Sequence, residues 1–133
     1  HLSSFYVNYP YICTMKIIVA GSRDFTDAKL LMSTLDEARE NFPDMEIVCG
    51  MARGADRLGH EYAKMYDIKV HEFYPNWNKY GKKRAGYIRN EEMAKFASPA
   101  DALIAFWDQK SPGTKMMIDL ARQYKLKVKV IRY

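Results

Sequence analysis

The sequence predicts an α/β fold: a three-layer α/β/α sandwich around a five-stranded, mainly parallel sheet of order 3-2-1-4-5. Three observations carry this expectation. Short β-rich runs alternate with stretches of helical periodicity from Met15 to the end of the chain, as βαβ units require. The run Lys16–Ala20 (KIIVA) is apolar at all but its first position, as a strand covered on both faces must be. Right-handed crossovers then place helices on both sides of the sheet.

Each element follows in chain order. Lys16–Ala20 is the first strand. Ala28, Leu31, Leu35, Ala38 and Phe42 recur at helical spacing, with Thr26 as the expected N-cap and Asn41-Phe42-Pro43-Asp44 as the stop. Glu46–Cys49 is the second strand, and Ala55, Leu58, Tyr62 and Tyr66 mark a second helix. Ile68–Phe73 is the third strand. From Tyr74 to about Ala85 the chain is polar and basic, which reads as a long loop before a helix near Gly86–Phe96. Asp101–Trp107 is the fourth strand, Met117, Leu120, Ala121 and Tyr124 mark the last helix, and Lys127–Ile131 is the fifth strand.

Composition narrows the class. A chain of 133 residues fits one domain, and with 48% hydrophobic residues, 10 Tyr, 6 Phe and 2 Trp it can bury a core and is not a disordered sequence. No apolar run reaches the ~18 residues of a membrane span. Cys13 and Cys49 form no disulfide framework, and no Cys/His spacing suggests zinc. A cytoplasmic globular protein that needs no metal is the expectation. The net charge of +5, from 21 Lys+Arg against 16 Asp+Glu, makes an anionic partner plausible without naming it. Basic residues concentrate at Lys79–Arg89 and Lys125–Arg132, the second group reading equally well as surface lysines that keep the protein soluble.

Residues 1–14 differ from the rest: they contain no Lys, Arg, Asp or Glu and three tyrosines, and they lack the charged start and small-residue cleavage site of a signal peptide. They read as an N-terminal extension or upstream remnant, with the domain spanning 15–133. Phe5, Tyr6, Val7, Tyr11 and Ile12 could add a strand or a partner contact.

In an open parallel sheet, ligands bind beyond the carboxyl ends of the strands where the order reverses, here between strands 1 and 4. Three turns of distinctive composition converge there. After strand 1 comes Gly21-Ser22-Arg23-Asp24-Phe25: Gly21 allows close backbone approach, Ser22 can donate to a phosphate and Arg23 can pair with one bidentately. The competing reading is a capped turn with a surface Arg–Asp pair. After strand 2 comes Gly50-Met51-Ala52-Arg53-Gly54-Ala55-Asp56, where two glycines and an arginine precede a helix N-terminus, a place where anions bind. Asp56 either caps that helix or bonds a ribose hydroxyl. After strand 4, Ser111-Pro112 is a helix-start signal in its own right, but Gly113 and Thr114 suit a phosphate better than they suit the helix. The basic stretch Trp77–Asn90 adds Trp77 and Tyr80, which could stack on a base, and Arg89 and Asn90 opening a helix. A solvated lid is its alternative.

Other motifs fail. There is no GxGxxG after strand 1 and no Walker A sequence. His60-Glu61-Tyr62-Ala63-Lys64 lacks the second histidine of a zinc motif. Cys49 reads as a small buried residue, and His60 and His71 sit in no obvious triad.

The segments GSRDF, CGMARGADRLGHEYA, PNWNKYGKKRAGYIRNEEM and AFWDQKSPGTKMMIDLA, in this order, resemble the YspA/YpsA-related branch of the SLOG superfamily, relatives of LOG phosphoribohydrolases and DprA-type proteins. The resemblance implies a Rossmann-like domain, found in bacteria and their phages, that binds a nucleotide or nucleotide-derived signal molecule. It points to Gly21, Ser22, Arg23, Gly50, Arg53, Gly54, Asp56, Trp77, Arg89, Asn90, Ser111, Gly113 and Thr114 as ligand-binding positions. It also implies a homodimer, since superfamily relatives often form one. Magnesium accompanying a phosphate would leave no signature of its own. LOG-type enzymes carry PGGxGT with a glutamate soon after. Here SPGT is followed by Lys115-Met116-Met117-Ile118, with Asp119 more than a turn beyond Thr114. That departure favours a sensor or sequestering module over a hydrolase, for which Asp24, Asp56 and Asp108 are weak catalytic candidates. Single-stranded nucleic-acid binding is the third reading.

Overall fold

The computed structural model describes residues 14–98 and 101–133. The N-terminal extension, apart from Thr14, and Cys13 with it, lie outside the described residues. Nine elements follow in order: β1 (Lys16–Gly21), α1 (Ala28–Asn41), β2 (Glu46–Cys49), α2 (Ala55–Met65), β3 (Val70–Glu72), α3 (Trp77–Ala97), β4 (Ala102–Trp107), α4 (Pro112–Gln123) and β5 (Lys127–Arg132). The five strands form one sheet of order β3-β2-β1-β4-β5, and every pairing is parallel. The expected order is therefore the observed one, with β1 and β4 at its centre.

The alternation of strand side chains divides the core in two. Ile17 and Val19 of β1, with Ile47, Ile104 and Phe106, face α1 and α2 through Leu31, Leu35, Ala55, Tyr62 and Ala63. Ile18 and Ala20, with Val48, Leu103 and Ala105, face α3 and α4 through Met93, Ala94, Met117, Leu120 and Ala121. Both faces of β1 are thus dry, which is why KIIVA carries no polar alternation. Among the described residues, no helix is long and apolar enough to cross a membrane.

Three local expectations are corrected. The stretch from Tyr74 to Ala85 is largely helical: the Asn76 side chain accepts from the Lys79 N–H at 3.1 Å and starts α3 at Trp77. Gly81, with φ +78° and ψ 175°, kinks the helix before it continues to Ala97. Residues 77–84 are exposed except for the half-buried Tyr80, so this first part has no apolar face for periodicity to reveal. At α1 the cap is Asp27, whose carboxylate accepts from Leu30 N–H at 3.0 Å, one residue later than Thr26. Strand β3 is also shorter than Ile68–Phe73, and it lies at the sheet edge.

Two helix glycines separate packing from propensity. A Cβ on Gly59 in α2 would sit 2.7 Å from Val19 Cγ1, a fully buried and stiff side chain. A Cβ on Gly86 in α3 would meet nothing within 4 Å. Gly59→Ala is expected to destabilise by ~1–3 kcal/mol through overpacking. Gly86→Ala should stabilise by up to ~1 kcal/mol through helix propensity. Urea midpoints of the two variants, moving in opposite directions, check this.

Candidate functional site

The carboxyl ends of β1 and β4 open into a cleft of about 490 Å³. The turn after β1 contributes Gly21, Arg23 and Asp24, the turn after β2 contributes Ala52 and Asp56, and the turn after β4 contributes Asp108, Ser111, Gly113 and Thr114. Helix α3 brings Arg89 and Asn90 to the same space. A larger open hollow of about 720 Å³ lies among Asp36, Arg39, Glu40, Tyr66 and Lys69, near the amino ends of β2 and β3. It is the wrong end of the sheet for ligand binding in such folds, and its arginine is engaged: Arg39 stacks 4.0 Å from the Tyr66 ring and donates to the Tyr62 hydroxyl at 3.1 Å.

The glycines here are required by packing at two positions. A Cβ on Gly21 would collide with the Phe106 carbonyl oxygen at 2.5 Å and the Ala55 Cβ at 2.6 Å. Gly54 has φ +78°, and a Cβ there would lie 2.3 Å from the Ser22 carbonyl oxygen. The first two turns are therefore pressed together backbone to backbone.

A polar relay fastens the first turn to the third. Ser22, 1% exposed, donates its N–H to the Phe106 carbonyl at 3.0 Å, and its hydroxyl accepts from Asp108 N–H at 3.2 Å. The Asp108 carboxylate accepts from Lys110 N–H (2.9 Å), Ser111 N–H (2.7 Å) and the Ser111 hydroxyl (2.9 Å). Those donors, the Ser111 N–H foremost, hold the Asp108 carboxyl down at about 2, so it is a permanent anion. Ser111 occupies the N-cap position of α4, but its hydroxyl is spent on Asp108 and caps nothing. With Pro112 lacking an N–H, the Gly113 and Thr114 amides receive no side-chain cap from Ser111, and both residues line the cleft.

Buried Asp56 and half-buried Arg89 form the other wall. Asp56 is 5% exposed, and burial pushes its carboxyl up to about 6 against the opposing pull of Arg89 and of the Ala52, Gly21 and Gly50 N–H groups. Burial likewise lowers the Arg89 pKa, opposed by the charge of Asp56. Arg89 donates from Nη1 to the Gly50 carbonyl and from Nε to Asn90 Oδ1 at 2.9 Å. Gly50 leaves room for this guanidinium, since a Cβ there would lie 2.8 Å from Nη1. Arg23, in contrast, is exposed and has no hydrogen-bond or ion-pair partner among the described residues.

Of the thirteen ligand-binding positions expected from sequence, eight line the cleft: Gly21, Arg23, Asp56, Arg89, Asn90, Ser111, Gly113 and Thr114. Ser22, Gly50 and Gly54 lie behind it as packing and relay groups, while Arg53 and Trp77 are exposed side chains outside the lining. The weak catalytic candidates Asp24 and Asp108 also line it, Asp24 accepting from the Tyr133 hydroxyl at 2.8 Å. Sequence reasoning missed Ala20, Ala52, Met93, Pro112 and Met117 as lining groups; their apolar character reads as core or turn. Cys49 is buried, its thiol pushed up to about 12 chiefly by burial, and it does not line the cleft. His60 and His71 pair with Glu72 (2.6 Å) and Glu46 (2.7 Å), also outside it. Among the described residues, no group of three or more His, Cys, Asp or Glu side chains could hold a metal ion.

The raised Asp56 carboxyl has a stability consequence. Its folded-state value of about 6 exceeds the ordinary 3.8, so its contribution is fully present below about pH 4 and is lost as pH rises through 6. Relative to Asp56→Asn, which cannot titrate, the wild type should gain on the order of 2 kcal/mol between pH 7 and pH 4. Parallel urea titrations of both proteins at the two pH values measure the difference.

Comparison with known proteins agrees with this geometry at the level of family and fold. Residues 15–80 match the model of the YspA, cpYpsA-related SLOG family, a span that includes the first two turns. No curated protein sequence matches the chain. Among solved structures, DNA processing protein A (DprA) from Streptococcus pneumoniae is similar, with a TM-score of 0.69 at 18% identity over 87% of this chain. The match takes in 49% of that protein, so this chain spans about half its length, and the likeness is one of fold. With β1, its glycine-containing turns and the 3-2-1-4-5 sheet all in place, the chain belongs to the YspA, cpYpsA-related SLOG family.

Proposed function

We propose that the protein binds a nucleotide or nucleotide-derived molecule in the β1/β4 cleft, as a sensing or sequestering module. The observation that carries this reading is the diversion of the Ser111 hydroxyl to Asp108, which leaves the amino end of α4 uncapped in a cleft shared with Arg23, a side chain with no partner among the described residues. Open backbone donors and a free guanidinium at one mouth suit a phosphoryl group. Charge limits its size. Two guanidiniums, Arg23 and Arg89, face the carboxyls of Asp24, Asp56 and Asp108, so a triphosphate would go largely uncompensated. A single phosphoryl with a hydroxyl-rich remainder, such as a ribose whose diol donates to Asp24 or Asp56, fits that balance. The DNA-processing role in the name of the structural neighbour is compatible with a nucleotide ligand and carries no more than that.

A hydrolase is the second reading, and Asp56 is the observation that favours it. Its carboxyl is held near 6, in the range where a group can both give and take a proton, whereas Asp108 is held low as an anion. In such a reaction water would replace the base at the sugar carbon of an N-glycosidic bond, with the proton passing through Asp56.

A thermal-shift screen with mono-, di- and cyclic nucleotides, NAD and ADP-ribose tests both readings, because a ligand of the folded state raises the melting temperature. The expected result is a stabilising ligand recovered intact, with affinity at least tenfold weaker in Arg23→Ala and an unchanged melting temperature for that variant without ligand. Recovery as base plus sugar phosphate, abolished in Asp56→Asn, would establish the hydrolase instead. No shift with any nucleotide would overturn both and turn attention to single-stranded nucleic acid, where binding must weaken steeply with salt.

A further inference from the structure

Two side chains in the cleft are more than nine-tenths buried yet make less use of their hydrogen-bonding capacity than burial normally demands. Asn90 on α3 is 7% exposed and Thr114 on α4 is 6% exposed. Each lies one helical turn from a buried methionine, Met93 and Met117, and all four residues line the same cleft. Asn90 Oδ1 accepts from Arg89 Nε at 2.9 Å, but the Asn90 amide nitrogen and the Thr114 hydroxyl have no hydrogen-bond partner among the described residues. No fully enclosed polar side-chain atom in the described residues lacks a partner, so these two must reach the open space of the cleft that their residues line.

The orientation of the Asn90 amide is dictated by chemistry. A guanidinium can only donate, so the amide atom that meets Arg89 Nε is the oxygen, and the NH₂ takes the opposite position. Arg89 is itself held by the Gly50 carbonyl and by the charge of Asp56. Rotating the amide would set NH₂ against a guanidinium N–H, two donors with nothing to accept. Asn90 is therefore a donor with one fixed direction. The same cleft is lined by Gly113 and Thr114, whose amides Ser111 leaves uncapped, Thr114 also bringing its hydroxyl. Each of these groups can donate, and the Asp108 carboxylate, nearest in sequence to the start of α4, is engaged by Lys110 and Ser111.

Resting on the nucleotide reading above, we infer that Asn90 is a specificity-determining residue of the cleft: its amide, fixed by Arg89, donates to an acceptor-only group of the ligand, a phosphoryl, seated between α3 and the amino end of α4. Arg89 then acts as a positioning residue, and the Met93–Met117 floor excludes water beneath the phosphoryl. An exocyclic amine, which offers only N–H donors, finds no partner in the Asn90 NH₂ or the α4 amides and is disfavoured by the same arrangement.

Asn90→Asp is the informative change. It keeps an oxygen for Arg89 Nε and the same shape, but replaces the cleft-facing NH₂ by an anionic oxygen. Calorimetry with inorganic phosphate, AMP, ADP-ribose and adenosine on wild type and variant should show phosphate-bearing probes weakened by roughly ten- to a hundred-fold or more in Asn90→Asp, and adenosine unaffected. Thr114→Val guards against a variant that fails to fold. Because the hydroxyl has no partner in the described protein, its loss should leave the ligand-free melting temperature unchanged or higher while still weakening the phosphate-bearing probes. Phosphate-bearing probes that bind wild type and Asn90→Asp equally would overturn the assignment of Asn90 and leave the nucleotide reading standing. A ligand-free melting temperature several degrees lower in Thr114→Val would overturn it too, since the hydroxyl would then serve the fold. Absence of binding by wild type to every probe would remove the nucleotide reading and this inference together.

Discussion

The cleft depends on one chain of hydrogen bonds, Ser22 to Asp108 to Ser111. Strands β1 and β4 are neighbours through five paired residues, but pairing alone does not dictate what the loops beyond them do. The buried Ser22 hydroxyl takes the Asp108 N–H, and the Asp108 carboxylate gathers the Lys110 and Ser111 donors. The loop after β4 is thereby folded back toward the loop after β1, and α4 starts with its first amides pointing between them. An ordinary N-cap would have satisfied those amides internally, as Asp27 and Asn76 do for α1 and α3. Here the capping residue is present but occupied, and the orphan donors become available to a ligand.

Around that relay the backbone is brought closer than side chains would allow. Gly21 lies against Phe106 and Ala55, and Gly54 against Ser22, so the first and second turns share a wall only a backbone thick. The same crowding buries Asp56 among the N–H groups of Ala52, Gly21 and Gly50, with Arg89 as its charged counterpart. The cleft is consequently polarised. Its α3/α4 side presents donors, while Asp24 and Asp56 on the β1/α2 side present acceptors.

Family and fold do not settle the chemistry. The family model spans residues 15–80 and so stops short of Arg89, Asn90 and the α4 amino end, where most of the donors lie. The structural neighbour shares the architecture at 18% identity. A shared sheet leaves the ligand to be read from the side chains of this chain.

The strand order, the two-faced core and the place of the cleft were all legible in the sequence. They follow from local periodicity and from the handedness of βαβ crossovers, which hold for any chain of this pattern. Three glycine-bearing turns could be recognised for the same reason, since glycine and Ser-Pro act over a few residues. What each turn residue does was decided only in three dimensions. Ser22 and Ser111 look alike as phosphate donors along the chain, yet Asp108, 86 residues from Ser22, engages both. Arg23 and Arg89 look alike as clamps, yet Arg23 has no partner among the described residues and Arg89 is bound to Gly50 and Asn90 across 39 and 1 residues of sequence. The helical start of α3 escaped periodicity because its side chains are solvated and its structure rests on an Asn76 cap and a left-handed Gly81. Local rules fix which elements form; the competition of buried donors for distant acceptors fixes which side chains remain for a ligand.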